Sequence, residues 1–360
     1  MRFAVVGCGE IAPTHVRALR SLGDRVSIVA CADVVPERAA VLANAFQLRA
    51  STYDDILADS TIDAVTVCTP SGAHADLGVP ALLAGKHVLV EKPMDVSPAA
   101  CDRLLEAQHS SGMTLGVVSQ RRFDPAAQRV RSALADGTLG SLVYADCRIP
   151  WFRTQQYYDS GGWRGTWDLD GGGCLMNQGL HSIDLMRWMC GPVTHVYAQA
   201  RTAVHDRIEV EDVLCATVVF AGGAIGTIMS STCSYPPFPA RLGIQGSRGG
   251  AVIEGDALAA FSIIDGEHVP GEPPMAHAIE IAYGGTRAAT PAPAEATSVS
   301  PDGIDGWTLG HRRQLLDFVE AVEAGRDPLV SGLEGRRTVE LIEVIYRSVR
   351  SGAIEKVESR

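Results

Sequence analysis

The chain begins with the apolar run Phe3-Ala4-Val5-Val6, followed directly by Gly7-Cys8-Gly9-Glu10-Ile11-Ala12. This stretch predicts a strand, a glycine turn and a helix, the order that forms a cradle for a pyrophosphate. Gly7 permits a tight turn, and Gly9 has no side chain to block a phosphate that approaches the backbone. The amides and dipole of the helix N-terminus favour such a negative group. An ordinary strand–turn–helix is the alternative, because glycine turns after strands are common.

A second predicted strand ends in a carboxylate and strengthens the dinucleotide interpretation. Residues 27–33 read Ser-Ile-Val-Ala-Cys-Ala-Asp, and Asp33 stands where an acid accepts both hydroxyls of an adenosine ribose. A 2′-phosphate would meet negative charge there, and the nearest following cation is Arg38. The sequence therefore favours NAD over NADP. Asp33 could also cap the helix that begins near Pro36, and the two roles are compatible.

The arrangement of strands and helices divides the chain into two kinds of structure. Apolar strands alternate with helices through residue 120, whereas strands with glycine-rich turns dominate afterwards and two helices close the chain. We predict an α/β fold, with an N-terminal Rossmann doubly wound parallel sheet and a C-terminal α+β domain whose large open sheet is mostly antiparallel. The predicted divisions are 1–120, 121–310 and 311–360, and the Pro-, Ala- and Gly-rich segment 266–305 is predicted to be a surface excursion.

The composition limits the partners. A net charge of −11 disfavours a nucleic-acid surface, and no apolar run approaches the ~20 residues of a membrane span. The nine cysteines are scattered without a Cys-x-x-Cys pair, which favours buried thiols in a reducing cytoplasm over disulfides or zinc. We therefore predict a cytoplasmic protein that acts on a small molecule and uses no metal.

Two polar loops follow predicted strands and should lie at the carboxyl edge of the sheet, where parallel sheets bind their ligands. Thr69-Pro70-Ser71 can present amides and a hydroxyl to a dinucleotide, and His74 is either a ligand contact or a polar helix start. In Glu91-Lys92-Pro93 the proline restricts the lysine backbone and permits a cis bond. A buried Lys92 would have a lowered pKa and could exchange protons near neutrality, and a surface lysine at a strand end is the alternative, which the spacing alone favours.

A triple-glycine turn introduces a third polar cluster in residues 171–184. Asn177, His181 and Asp184 have the spacing of one helix face, and their apolar neighbours favour an inward orientation. His181 could then take a hydroxyl proton while Asn177 holds its orientation. The alternatives are a hydrogen-bonded core histidine and a metal site, and the metal site lacks a third ligand nearby.

The segment Trp151–Trp167, just ahead of the glycine turn, is rich in aromatic residues and arginines. Aromatic faces suit sugar rings, and arginines suit carboxylates or phosphates. Trp163 and Arg164 are therefore predicted substrate contacts, with Arg164 the stronger candidate. A loop anchored by buried aromatic side chains is the alternative.

Taken together, these motifs resemble the Gfo/Idh/MocA oxidoreductases, which include glucose–fructose oxidoreductase and inositol dehydrogenases. The resemblance covers nearly the whole chain and rests on the Gly7-x-Gly9-x-x-Ala12 turn, Glu91-Lys92-Pro93, the 171–184 stretch and the C-terminal helices. It implies an NAD-dependent enzyme whose second sheet forms a homodimer or homotetramer through its outer face. It also implies that the Arg121-Arg122-Phe123 segment reaches the substrate.

The same resemblance implies roles for individual residues. Lys92 would hydrogen-bond the reacting hydroxyl or carbonyl, and His181 would be the general acid/base. The family often has aspartate at the position of Asn177, and asparagine can neither act as a base nor stabilise an imidazolium by charge. Members that act on nucleotide-linked sugars look similar in carrying asparagine there.

These observations yield one main hypothesis, an NAD-dependent dehydrogenase acting on a secondary hydroxyl of a cyclic polyol or sugar derivative. A redox glycosidase with retained NAD and a non-catalytic dinucleotide sensor are the alternatives. The predicted catalytic residues are Lys92, His181 and Asn177, and the predicted substrate contacts are Arg121, Trp163, Arg164, Asn177 and His181. The predicted NAD-binding residues are Gly7, Gly9, Glu10, Ile11, Asp33, Thr69, Pro70, Ser71, His74, Glu91, Lys92 and Gln120.

Overall fold

The computed structural model of the chain describes residues 1–264 and 305–358. The predicted surface excursion at 266–305 lies outside these residues, apart from Asp305. Among the helices of the described residues, none combines the length and the apolar character needed to cross a bilayer.

The N-terminal sheet has the predicted parallel topology. Among the described residues its six strands follow the order β3-β2-β1-β4-β5-β6, and all neighbours are parallel. Its elements are β1 (Arg2–Val6), α1 (Ala12–Arg20), β2 (Ser27–Ala32), α2 (Pro36–Phe46), β3 (Arg49–Ala50), α3 (Tyr53–Ala58), β4 (Ala64–Val67), α4 (His74–Leu83), β5 (His87–Val90), α5 (Pro98–Ser111) and β6 (Leu115–Val117). The strand order reverses between β1 and β4, which is where a doubly wound sheet opens a crevice for a ligand.

The C-terminal sheet is mixed but mostly antiparallel, as predicted. In the described part of the chain it has eight strands in the order β13-β12-β11-β7-β10-β9-β8-β14, and β7 and β10 form its parallel pair. Its elements are α6 (Pro125–Ala135), β7 (Leu142–Pro150), α7 (Gln155–Asp159), a π-helical turn (Cys174–Gly179), α8 (Leu180–Cys190), β8 (Val193–Arg201), β9 (Val213–Phe220), β10 (Ile225–Ser231), β11 (Arg241–Gly246), β12 (Gly249–Glu254), β13 (Ala257–Ile263), α9 (Gly306–Ala324), α10 (Gly332–Ser351) and β14 (Glu355–Lys356).

The two faces of the C-terminal sheet differ in exposure. Residues alternate between buried and exposed along β9, and the buried set packs with α8 and α10 in the main core. The opposite face exposes Tyr197, Val219 and Ile225, of which Ile225 is 57% exposed. Apolar residues on an open sheet face suit a subunit contact, and the predicted homo-oligomer stays a prediction.

The two C-terminal helices return to the N-terminal half of the chain. In α9, Phe318 packs against Phe3 of β1 with ring centroids 6.3 Å apart, and Leu315 and Val319 join the same cluster. Helix α10 contacts both α5 and β8. The predicted chain divisions at 120 and 310 stay predictions, but these contacts tie the end of the chain to both sheets.

A buried ion pair joins the elements where the two sheets meet. Arg122, just after β6, is fully buried and donates Nε and Nη2 to the two carboxylate oxygens of Asp184 on α8, at 2.7 and 2.6 Å. Asp184 also accepts from Thr338 of α10 at 2.8 Å, and Arg122 pairs with Glu334 at 2.9 Å. The bidentate geometry favours this buried pair over two separated charges.

Candidate active site

One cavity of about 1880 Å³ runs from the glycine turn to the start of α8. It lies at the carboxyl ends of the N-terminal strands, as expected for a ligand of a parallel sheet. Its wall includes these predicted NAD-binding residues: Gly7, Gly9, Glu10, Ile11, Asp33, Thr69, Pro70, Ser71, Glu91, Lys92 and Gln120. It also includes the predicted substrate contacts Arg121, Trp163, Arg164, Asn177 and His181.

The glycine turn has the open backbone that a pyrophosphate requires. Gly7 has φ +90°, and a Cβ on it would lie 2.7 Å from the Cys68 carbonyl, so a side chain there is excluded. Around Gly9 a Cβ would meet nothing within 4 Å. Asp33 accepts the N–H groups of Cys8 and Val35 at 2.7 and 2.8 Å. Val35 is the N-cap residue of α2, so Asp33 supports the turn rather than capping that helix.

Unpaired polar atoms in the wall offer further contacts to a dinucleotide. Gln120 is buried, and neither its Oε1 nor its Nε2 has a hydrogen-bond partner in the described structure. The buried Thr69 Oγ1 is unpaired in the same way. Buried polar groups are normally paired, and a carboxamide, ribose or phosphate would pair with these atoms. The donor set therefore fits a dinucleotide.

His74, a predicted cofactor contact, lies behind the cavity wall rather than in it. The cavity wall does not include it, and both of its ring nitrogens lie within hydrogen-bond distance of carbonyls, Nδ1 of Pro93 at 2.8 Å and Nε2 of Thr69 at 3.0 Å. The fully buried ring braces the two loops that carry the other polar residues. A polar residue at the start of a helix was the alternative interpretation, and this placement agrees with it.

Glu91 lies at the centre of a buried group of imidazoles. Its Oε1 is 2.7 Å from Nε2 of His15 and 3.8 Å from Nε2 of His311, and its Oε2 accepts the Lys92 amide. Burial opposes ionisation of Glu91, but the hydrogen bond from His15 and the nearby His311 imidazole outweigh it and hold its pKa well below the ordinary value. The three side chains are close enough to share an ion, yet the direct His15–Glu91 contact already occupies the ligand atoms such an ion would need.

Lys92 extends from the end of β5 towards the π-helical turn. Its Nζ donates to the backbone carbonyl of Asn177 at 2.9 Å, and the Lys92–Pro93 peptide is cis. Burial lowers the pKa of Lys92, and Arg153 lowers it further, whereas Glu91 and Asp170 raise it. The ammonium is thus a pre-positioned donor with a proton that it can release more readily than a solvated lysine.

His181 lies beside this lysine in the first turn of α8. Burial lowers its pKa well below the ordinary value, and the positive charges of Lys92 and Arg121 lower it further. The imidazole is therefore neutral at neutral pH and can accept a proton. Its Nδ1 is buried without a hydrogen-bond partner in the described structure. Lys92 and His181 both line this cavity, and their predicted convergence on one substrate stays a prediction.

The helix that carries His181 differs from the regular one predicted. A π-helical turn at Cys174–Gly179 precedes α8, so the three polar residues do not share one regular face. Asn177 and His181 line the cavity, whereas Asp184 is buried away from it in its pair with Arg122. Asn177 Nδ2 donates to Asp170, a buried carboxylate that sequence reasoning did not single out.

Aromatic rings and guanidinium groups from the segment Trp151–Trp167 form another part of the cavity wall. Arg164 lies over the rings of Tyr157 and Trp163, at 4.6 and 5.2 Å from their centroids, and donates to Glu10 at 3.2 Å. Arg153 lies over Tyr157 and donates to Gln178 at 2.6 Å. Such a wall can stack on a ring and bind an anionic group.

Several wall residues had no signal in the sequence. Trp307 and His311 arrive from α9, and the Trp307 ring centroid lies 6.4 Å from that of His181. Gln178 follows Asn177 and connects it to Arg153 and Tyr157. Only the position of Gln178 inside the glycine-turn motif could have indicated a role, since α9 is remote in sequence.

Known proteins of similar sequence and fold are dehydrogenases. An inositol 2-dehydrogenase from Rhizobium meliloti (strain 1021) is 27% identical over 356 residues, covering 97% of each protein. A D-apiose dehydrogenase from Paraburkholderia graminis is 25% identical over 374 residues, covering 99% of this chain and 89% of that protein. The WlbA dehydrogenase from Bordetella pertussis, solved with NADH and UDP-GlcNAcA, is 30% identical, with coverage of 100% and 99% and a TM-score of 0.83.

Two family models match separate parts of the chain. Residues 1–119 match the model described as "Oxidoreductase family, NAD-binding Rossmann fold". Residues 127–252 match the model described as "GFO/IDH/MocA C-terminal domain". The glycine turn lies in the first region and His181 in the second, so the cavity is built from both. The chain is therefore a member of the Gfo/Idh/MocA family of NAD-binding oxidoreductases.

Proposed function

We propose that the protein is an NAD-dependent dehydrogenase that oxidises a secondary hydroxyl of an anionic sugar derivative, or reduces the matching ketone. The observation that carries this proposal is the joint exposure of Lys92 and a neutral His181 to one cavity that also contains the glycine turn. An alcohol bound between these two side chains would meet a proton acceptor and a cationic donor together.

The chemistry of the proposal assigns one task to each group. Bound NAD supplies the acceptor for the hydride that leaves the carbinol carbon. His181 accepts the hydroxyl proton, and the Lys92 ammonium donates a hydrogen bond to the oxygen as negative charge develops on it. The carbonyl of Asn177 holds the ammonium in place. Ketone reduction uses the same groups in reverse.

Two guanidinium groups in the wall support an anionic substrate. Arg121 and Arg153 have no carboxylate within ion-pair distance among the described residues. Arg121 donates to the backbone carbonyl of Gly255. Arg153 donates to the backbone carbonyl of Phe152 and to Gln178 Oε1. Unneutralised guanidinium groups in a cavity attract carboxylates and phosphates. The similarity to a protein solved with UDP-GlcNAcA agrees with this substrate class.

The central test is Lys92→Ala, read as turnover and as NADH binding. We expect kcat to fall by about 100-fold or more, because the variant loses the hydrogen bond to the developing oxyanion. NADH affinity, followed by nicotinamide fluorescence, should change little. A matched control is Lys356→Ala on β14, which lies outside the cavity wall. Near-normal turnover of Lys92→Ala would remove this residue from the mechanism.

A substrate panel tests the substrate class. Inositols, free aldoses, uronic acids, sugar phosphates and nucleotide-linked uronic acids should be compared at the NADH absorbance band, with NAD and with NADP. We expect the anionic sugars to give the highest kcat/KM, and Arg153→Gln to raise KM for them more than for neutral sugars. Equal rates with neutral polyols would contradict an anionic substrate, and sugar release without NADH would favour the glycosidase.

A further inference from the structure

Asp170 is a buried carboxylate that lies behind the cavity wall. This residue is 1% exposed, and it directly precedes the triple-glycine turn. Its Oδ1 accepts Asn177 Nδ2, and its Oδ2 accepts the backbone N–H of Gly165 at 2.8 Å. Both oxygens are therefore paired, and the carboxylate links the aromatic segment Trp151–Trp167, through Gly165, to the π-helical turn. A buried charge with two directed contacts requires an explanation, because burying it is costly.

The contacts continue from Asp170 to the proposed catalytic groups. Because Asn177 donates its amide N–H to Asp170, its Oδ1 must point the other way, where it accepts from Gln178 Nε2 at 3.2 Å. The backbone carbonyl of the same Asn177 accepts the Lys92 ammonium at 2.9 Å. Gln178 in turn accepts from Arg153 at 2.6 Å. One buried carboxylate thus orients the residue that holds Lys92 and, through Gln178, the Arg153 side chain.

We propose that Asp170 is a positioning residue that fixes Asn177 against Lys92 and supplies the buried negative charge that keeps Lys92 cationic. This inference rests on the proposed function of Lys92 as a hydrogen-bond donor to the reacting oxygen. It also explains how the site works with an uncharged asparagine at position 177: the carboxylate stands one layer further back, and the amide transmits its orienting effect.

The charges around Lys92 agree with this role. The groups that face it are Glu91 and Asp170, which raise its pKa, Arg153, which lowers it, and His181, which is neutral at neutral pH. Burial raises the pKa of Asp170 to about 6, and Lys92 and Arg164 act in the opposite direction. At pH 7 and above Asp170 is therefore mostly ionised, and its negative charge favours the protonated form of Lys92.

The test is Asp170→Asn, which keeps the shape and removes the charge. We expect the pKa of Lys92, measured by competitive labelling of its amine and mass spectrometry across pH, to fall by about one unit. This readout does not depend on turnover. In parallel, kcat should fall on the order of 10- to 100-fold, and the alkaline limb of the pH–kcat profile should move to lower pH.

An exchange variant separates charge from loss of structure. In Asp170→Asn/Asn177→Asp the acid and the amide trade places, so their mutual hydrogen bond and the local charge are both restored. We expect the Lys92 pKa to return at least to its original value and kcat to recover by about tenfold over Asp170→Asn. Asp124→Asn is the matched control, since burial raises the pKa of Asp124 to about 6 as well but this residue lies outside the cavity wall.

The outcomes distinguish this inference from the proposed function. An unchanged Lys92 pKa in Asp170→Asn, with the fold intact by circular dichroism, overturns the role of Asp170. The role of Asp170 is also overturned if Asp124→Asn shifts the pKa of Lys92 by as much as Asp170→Asn does. If Lys92→Ala retains turnover while Asp170→Asn still shifts the Lys92 pKa, the electrostatic coupling stands and the proposed function of Lys92 fails.

Discussion

Asp33 connects the predicted ribose site to the glycine turn at the level of a single side chain. Its two oxygens accept the amides of Cys8 and Val35, so the carboxylate is fixed in direction before any ligand arrives. A fixed carboxylate presents its remaining lone pairs to two ribose hydroxyls and repels a phosphate in the same place. We therefore propose that Asp33 sets the choice between NAD and NADP.

We expect Asp33→Ala to lower kcat/KM for NAD by about tenfold, because charge-assisted hydrogen bonds to the ribose are lost. The NAD-to-NADP preference should fall by more than this, since the repulsion of a 2′-phosphate is lost too. Steady-state kinetics with both coenzymes measure the ratio. Asp63→Ala is the control, because Asp63 accepts the Arg2 amide at 2.7 Å outside the cavity wall. An unchanged coenzyme ratio would contradict the role of Asp33.

Residues with a local signature could be placed from the sequence. Gly7 and Asp33 directly follow an apolar strand and Lys92 is the second residue after one, so the end of the strand determines where they lie. His74, Asp170 and Asp184 could not be assigned in this way. Their positions depend on partners that only the folded chain brings near: Pro93, Asn177 and Arg122. A polar residue in a motif does not reveal whether it faces the cavity or the core.

At the scale of elements, the π-helical turn has a tertiary cause. The buried carboxylate of Glu211 accepts the amides of Gly173 and Leu175 at 3.1 and 2.9 Å, and burial raises its pKa. These amides would otherwise be unpaired at the start of the helix. Sequence periodicity predicted a regular helix from 175, because it contains no information about an acid 36 residues further along the chain.

Close packing at this turn predicts a strong effect for a small substitution. A Cβ on Gly173 would lie 1.8 Å from the Glu211 carbonyl oxygen, which is backbone and cannot rotate away. We expect Gly173→Ala to lower the free energy of unfolding by about 3 kcal/mol, measured by urea denaturation. Gly222→Ala is the control and should change stability little, since a Cβ there meets nothing within 4 Å. Equal stability of the two variants would contradict the geometry.

At the scale of the whole molecule, the pair of Arg122 and Asp184 makes stability depend on pH. Burial disfavours the charge of Asp184, but Arg122 outweighs it and holds the pKa of that carboxyl well below its ordinary value. Glu334 beside it has its pKa lowered to about 2, where burial is outweighed by Arg187 and Arg122. Depressed carboxyl pKa values give stability that is complete above the unfolded values of about 4 and is lost as the pH falls below them.

We therefore expect the free energy of unfolding to decrease between about pH 4 and pH 2. Asp184→Asn should lose about 3–5 kcal/mol at pH 7, because Arg122 is left buried without its main partner, and it should show a shallower decrease in acid. Asp76→Asn, which breaks the exposed pair with Arg103, is the control and should cost less than about 1 kcal/mol. Urea denaturation at several pH values measures the free energy of unfolding of wild type and of both variants. A parallel pH response in wild type and Asp184→Asn would count against the assignment.

The fold class was predictable from the alternation of strands and helices, and both sheets confirm it. The short strands β3 and β14 were not, since each has two residues and neither has an apolar run. The contribution of α9 to the cavity was equally hidden, because Trp307 and His311 reach it from a segment more than a hundred residues after His181. The pattern of apolar residues along the chain indicates where elements begin and end, but it does not indicate which distant helix covers a site.

The loop after β4 is in direct contact with the two residues that follow the aromatic segment Trp151–Trp167. Gly72 donates its amide to Leu169 O at 3.0 Å, and a Cβ on Gly72 would lie 2.4 Å from Asp168 O. The part of the wall proposed to contact the sugar therefore packs against a loop proposed to contact the coenzyme. We therefore expect NAD to enter first and NADH to leave last, so that product inhibition is competitive only between NADH and NAD. Random addition would mean that the two loops respond to their ligands independently.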